Sequence, residues 1–188
     1  MTERGTTAIL ATLAAAGGLL SLGGLVVLNT GATLGPPPLT LGFSQGYDEA
    51  AYRRVLGSPS AADVDWAERK SREALAVAPY ENSPRLRLAY IDFLRHGRLT
   101  PAGVQLFSQS YDLLPVDPNI AAWRIGFGLE HWEHLTPDAR RAVYEEARAF
   151  HRLRSRDVNV PRVLASVRNP SGRLAAALWI SSFDRHSP

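Results

Sequence analysis

The chain has 188 residues and a formal net charge of +3, which leaves length beyond its apolar start for one compact core and not for a second globular domain. It contains no cysteine, so disulfides and thiolate metal sites are excluded. Residues 31–139 carry 10 basic against 13 acidic side chains and residues 140–188 carry 10 against 4, and only Lys70 among the 21 basic residues is not arginine, a bias we read as compositional rather than as a selected surface.

No charged residue occurs between Arg4 and Asp48, and residues 6–28 form an apolar stretch. A bilayer requires about 20 such residues, so this segment predicts a single transmembrane helix within an anchor over residues 1–30. A cleavable signal peptide is the alternative, with Thr30, Gly31 and Ala32 as small residues for cleavage. The apolar core is longer than the roughly 7 to 15 residues of such a signal, which favours retention. Arg4 precedes the span and no basic residue follows it before Arg53, an asymmetry that places the N-terminus in the cytoplasm and the rest outside the inner membrane. Ala14, Gly17, Ser21 and Gly24 line one face at helical spacing, where another membrane helix could approach closely and support a homo-oligomer.

Residues 31–46 read as a linker, because Pro36, Pro37 and Pro38 cannot continue a helix. Gly42-Phe43-Ser44-Gln45-Gly46 matches the G-x-S-x-G nucleophile elbow of serine hydrolases. That elbow needs a strand before it and further strands to deliver an acid and a histidine. Only residues 39–41 could be the strand, and the downstream pattern is helical, so no catalytic residue is assigned and the chain is not read as an enzyme.

From Tyr47 onward apolar residues recur every three or four positions and the breaks fall at Gly, Pro and capping residues. The pattern predicts an all-α domain over 47–188, with helices near 47–56, 62–78, 83–96, 100–114, 118–134, 136–154, 158–167 and 170–183. Thr100-Pro101 and Thr136-Pro137 each set a capping hydroxyl before a proline in the first turn, where its missing N–H costs nothing. Leu99-Thr100-Pro101 recurs as Leu135-Thr136-Pro137 after 36 positions, Pro79 recurs as Pro115, and Leu86-Arg87-Leu88-Ala89-Tyr90 matches Trp123-Arg124-Ile125-Gly126-Phe127 after 37. Periods of this size indicate stacked helix pairs.

Over residues 63–155 these features resemble the tetratricopeptide repeat (TPR) family. Leu86, Ala89 and Phe93 take its first-helix positions, Gly97-Arg98-Leu99 its turn, and Ala102 and Leu106 the packing positions of its second helix. Ala67, Ala74 and Pro79 fit the preceding helix. Tyr90, Gln109 and Glu130 depart from the pattern. The resemblance implies an α-solenoid whose first helices line a concave, partner-binding surface. Carried onto this chain, it points Arg87, Arg95, Arg124 and His131 into that groove, which suits an acidic peptide or another carboxylate. The alternative is that these side chains are solvated or pair within the chain.

Glu130-His131-Trp132-Glu133-His134 has metal-like content, but His131 and His134 would need further ligands from elsewhere. No metal or cofactor is assigned, and a metal-binding domain at His131 and His134 stays a lesser alternative. The basic run from Arg140 to Arg156 would meet no nucleic acid if the domain lies outside the inner membrane, which leaves lipid or acidic glycan contact as an option. The segment Leu174-Ala175-Ala176-Ala177-Leu178-Trp179-Ile180 is too short to span a membrane and reads as a capping or partner-binding helix. Together these features predict a membrane-anchored scaffold or accessory subunit among bacterial envelope proteins, with polysaccharide synthesis or export as the setting the resemblance suggests.

Overall fold

The computed structural model describes residues 44–153 and 158–185. Among the described residues there are eight α-helices and no strand: α1 Ser44–Val55, α2 Ala61–Val77, α3 Asn82–His96, α4 Pro101–Leu113, α5 Ala121–Glu130, α6 Pro137–Leu153, α7 Val160–Ser166 and α8 Pro170–Arg185. Each corresponds to an expected helix with ends moved by no more than about three residues, the usual uncertainty of a boundary read from sequence. The exception is the expected helix over 118–134, where α5 stops at Glu130 and a 3-10 turn, Trp132–His134, follows. The Arg140 Nε donates to the Trp132 carbonyl at 2.9 Å and its Nη2 to that of Glu133 at 3.3 Å, so the carbonyls released at this break are taken by a side chain.

The expected membrane span over residues 6–28, with Ala14, Gly17, Ser21 and Gly24, lies outside the described residues. Within them no helix is long and apolar enough to cross a membrane.

Contacts divide the chain into two compact units that meet between Pro84 and Arg85, inside α3. In the first, α1 and α2 pack together after a turn at Gly57, whose φ of 79° lies in the left-handed region that glycine adopts without cost. Val64, Ala67, Ser71 and Ala74 are the buried face of α2, spaced by three, four and three residues, and three of them are small enough to bring the helices close. Ser60 and Asp63 form a reciprocal capping box at the start of α2, and Arg54 donates to Asp63 at 2.7 Å.

The second unit is organised around α5, which packs against α6, α7 and α8. A helix enclosed on several sides must be thin. Gly128 meets this need: a Cβ there would stand 2.8 Å from Val143 Cγ2 and 3.1 Å from Phe107 Cζ. Ile125 and Leu129 on α5 are fully buried, as are Phe107 on α4 and Val143 on α6. The repeated Leu-Thr-Pro triplet is repeated in structure too. Leu99 and Leu135 are buried, the Thr100 Oγ1 accepts from the Gly103 N–H at 3.4 Å, and the Thr136 Oγ1 accepts from the Ala139 N–H at 3.2 Å. Pro101 and Thr136 border one surface pocket, so these two starts lie side by side.

The burial phase of α4 differs from the expected one by a residue. Ala102 is exposed and Leu106 only half-buried, while Gly103, Val104, Phe107, Ser110 and Tyr111 face inward. The cause is local: Asp92 on α3 accepts both the Thr100 N–H and its hydroxyl at 2.8 Å, and a Cβ on Gly103 would collide with that carboxylate. The contact holds Gly103 against α3 and turns Ala102 outward.

Candidate interaction surface

Of the four side chains expected in a cationic groove, only Arg95, in the last turn of α3, is exposed. Arg87 and His131 are buried, and Arg124 is fully so. The Arg124 Nε donates to Glu146 Oε2 at 2.9 Å, and its Nη2 contacts Oε1 of the same carboxylate. Its remaining donors reach the carbonyls of Ser110 and Leu114, each at 3.0 Å, and of Pro115 at 3.2 Å. These oxygens lie at and just beyond the C-terminus of α4, where helical carbonyls lack partners and positive charge is favoured. The guanidinium also lies over the Tyr111 ring, 3.8 Å from its centroid. Burial, followed by the Glu146 charge, holds the Tyr111 phenol well above its ordinary pKa, so it stays protonated and donates to Glu146 at 3.1 Å. Arg124 is thus occupied inside the unit and presents nothing to a partner, as the intramolecular alternative required.

The surface between α3 and α5 is instead aromatic. Trp123 stacks on Phe127 with centroids 4.5 Å apart and planes 14° from parallel. Tyr90 meets both edge-on, at 6.5 and 6.2 Å. Phe93 lies 6.5 Å from Phe127 and 4.6 Å from His131, and His131 lies 4.5 Å from Phe127. Phe127 also reaches inward to Phe107 at 5.8 Å, which ties the group to the core and fixes its geometry. Tyr90 and Phe93 are half-buried, whereas Trp123 is 40% exposed and offers the open edge of the cluster. Burial lowers the His131 pKa, helped by the nearby His134 and opposed by Glu130 and Glu133. His131 therefore belongs to this surface as a neutral ring.

The structure also gives work to the three residues that depart from the repeat pattern. Tyr90 joins the aromatic group. Gln109 accepts from Arg85 at 3.1 Å. Glu130 accepts the backbone N–H of Arg168 at 2.7 Å and of Asn169 at 2.9 Å, just ahead of α8. Nearby, Asn169 donates to both Glu133 oxygens and lowers that carboxyl's pKa.

His131 and His134 are neighbours, with ring centroids 6.4 Å apart, but among the described residues no group of three or more His, Asp or Glu side chains could hold a metal ion. Ser44 is the first residue of α1, and the residues that would form a strand ahead of it lie outside those described. Sequence reasoning left Trp123 open between core and groove, because periodicity alone does not say which neighbour a ring on an amphipathic helix faces. The available signal was the recurrence of rings on α3 and α5, at 90, 93, 123 and 127.

No known family model, curated protein or solved structure matches the chain.

Proposed function

We propose that this chain is a TPR-like protein-interaction scaffold or accessory subunit of a bacterial envelope complex, anchored by residues 6–28 with its helical part outside the cytoplasm. The observation that carries this reading is the partly exposed aromatic surface on α3 and α5, which this reading takes as the first helices of two consecutive pairs. In solenoids of helix pairs the first helices line the face that receives ligands. Rigid rings with one wet edge are the side chains that concentrate binding energy at interfaces. The partner feature this surface suits is an apolar or aromatic side chain inserted beside Trp123. An acidic peptide has only Arg95 to meet among the four side chains named at the outset.

The test uses full-length protein crosslinked in its native membrane and purified beside Trp123→Arg. Trp123 is exposed enough for that variant to fold, which circular dichroism would verify. A discrete partner retained by the parent chain and lost from the variant supports the scaffold. Identical recovery from both removes the aromatic surface from the reading. Protease added to intact spheroplasts checks orientation: cleavage between α1 and α8 is expected, and full protection would place the helical part inside.

A further inference from the structure

The α7–α8 region carries a second surface that the scaffold reading does not use. One side of α8 is interior, where Ala175, Ala176, Trp179 and Phe183 are buried. Leu174, Ala177, Leu178 and Ser181 fall on the opposite side at helical spacing, and all four are exposed. Leu174 is 65% exposed, Leu178 62% and the neighbouring Ile180 44%. A helix needs one apolar stripe to join its own core, and α8 has a second.

The charge around this stripe is mainly positive. Residues 158–185 contain four arginines, of which Arg162, Arg168 and Arg173 are exposed, against one acid, Asp184 near the end of α8. Among the described residues no carboxylate forms an ion pair with any of those three. An apolar ridge in a region with an excess of exposed arginine is the composition of a helix that lies in the headgroup layer of an anionic membrane, leucines toward the acyl boundary and arginines at the phosphates. A second copy of the chain suits the patch less well. In a two-fold interface each patch meets itself, so four arginines from each copy would face each other with one acid, Asp184, from each to offset them.

We propose that the exposed face of α8 docks on an anionic lipid leaflet, with Leu174, Ala177 and Leu178 entering the headgroup boundary and Arg162, Arg168 and Arg173 bound to lipid phosphates. The docking does not depend on the aromatic surface. It would hold the second unit in a set orientation on the bilayer.

The absence of cysteine makes the test direct. Full-length Ala177→Cys carries a polarity-sensitive fluorophore and is reconstituted into vesicles of phosphatidylcholine, alone or with about one-third phosphatidylglycerol. Gln105→Cys, exposed on α4, is the control. The expected result is a blue-shifted label at position 177 that lipid-borne nitroxide quenches in the anionic vesicles and not in the neutral ones, with the label at 105 in water throughout. Arg173→Gln should lower the docked fraction roughly fivefold. Leu174→Glu with Leu178→Glu should abolish docking with the helical spectrum unchanged. A wet label at 177 in both vesicles overturns the proposal. So does shielding that ignores lipid charge and grows with protein density, which would assign the face to a second copy. Flotation separates this from the anchor: a glutamate variant that still floats retains the anchor, and one that no longer floats shows that residues 6–28 do not hold the chain.

Discussion

Arg124 and Glu146 stand 22 positions apart in the chain and meet side by side in the interior, with both side chains fully buried. Taking two charges out of water is costly, and the cost is recovered only where every donor and acceptor finds a partner. Here the guanidinium also closes the C-terminal end of α4, and the carboxylate also accepts from Tyr111 and from the Asp117 N–H at 3.3 Å. The pair joins α4, α5 and α6.

Removing one member therefore costs more than removing both. Glu146→Leu leaves a buried, uncompensated guanidinium and should destabilise the second unit by about 3–5 kcal/mol. Tyr111→Phe removes one hydrogen bond to a charged acceptor, about 1.5–3 kcal/mol. Arg124→Met combined with Glu146→Leu should recover a large part of the single-variant loss, because an apolar pair of similar volume has no charge to desolvate. Urea denaturation of the four corners of this cycle measures the coupling. Additive losses would show that the pair is solvated.

Gly172 on α8 crosses α5 so closely that an added Cβ would stand 2.0 Å from the Leu129 carbonyl oxygen. Backbone cannot step aside as a side chain can. Gly172→Ala should cost about 1–3 kcal/mol by forcing the helices apart. At Gly128 the obstacles are the side chains of Val143 and Phe107, so Gly128→Ala should be partly rescued by Val143→Ala, while Gly172→Ala should not be. Thermal melts of the single and paired variants decide this, and a rescue of both would remove the distinction.

Glu130 holds the two N–H groups just ahead of α8 from a distance of 38 and 39 positions, while Asn169, whose Oδ1 accepts the Gly172 N–H at 3.0 Å, caps the helix itself. Glu130→Ala should raise hydrogen exchange at the Arg168 and Asn169 amides and cost about 0.5–2 kcal/mol. Glu130→Gln, which keeps one acceptor oxygen, should lie between. Unchanged exchange at both amides would show that another group satisfies them.

The helices were legible because their spacing, caps and Thr-Pro starts are local signals. Side-chain direction was harder. Arg124 looks like a surface cation on a helix because the residue that neutralises it, Glu146, lies on the next helix. Leu86 and Trp123 hold matching places in the repeat, yet Leu86 is buried and Trp123 is 40% exposed. The shift of phase in α4 comes from Asp92, whose carboxylate bonds across to Thr100, eight positions away. Long-range partners of this kind leave no trace in the periodicity of one chain.

His131 gives the aromatic surface a dependence on pH. Its folded pKa lies below the ordinary value of 6.5, chiefly because burial disfavours the imidazolium and secondarily because of His134. In the unfolded chain the same ring binds a proton near 6.5, so below that pH the unfolded state holds more protons than the folded one. The stability due to neutral His131 is fully present above 6.5, and it is lost as the pH falls through the lower folded value. His131→Phe keeps a ring against Phe93 and Phe127 without a titrating nitrogen. Its urea midpoint should fall less than that of the parent as pH drops below 6.5, and the ring proton shifts of His131 in the parent should titrate below that value. Equal acid sensitivity in the two proteins would show that His131 is already charged or wet in the folded state.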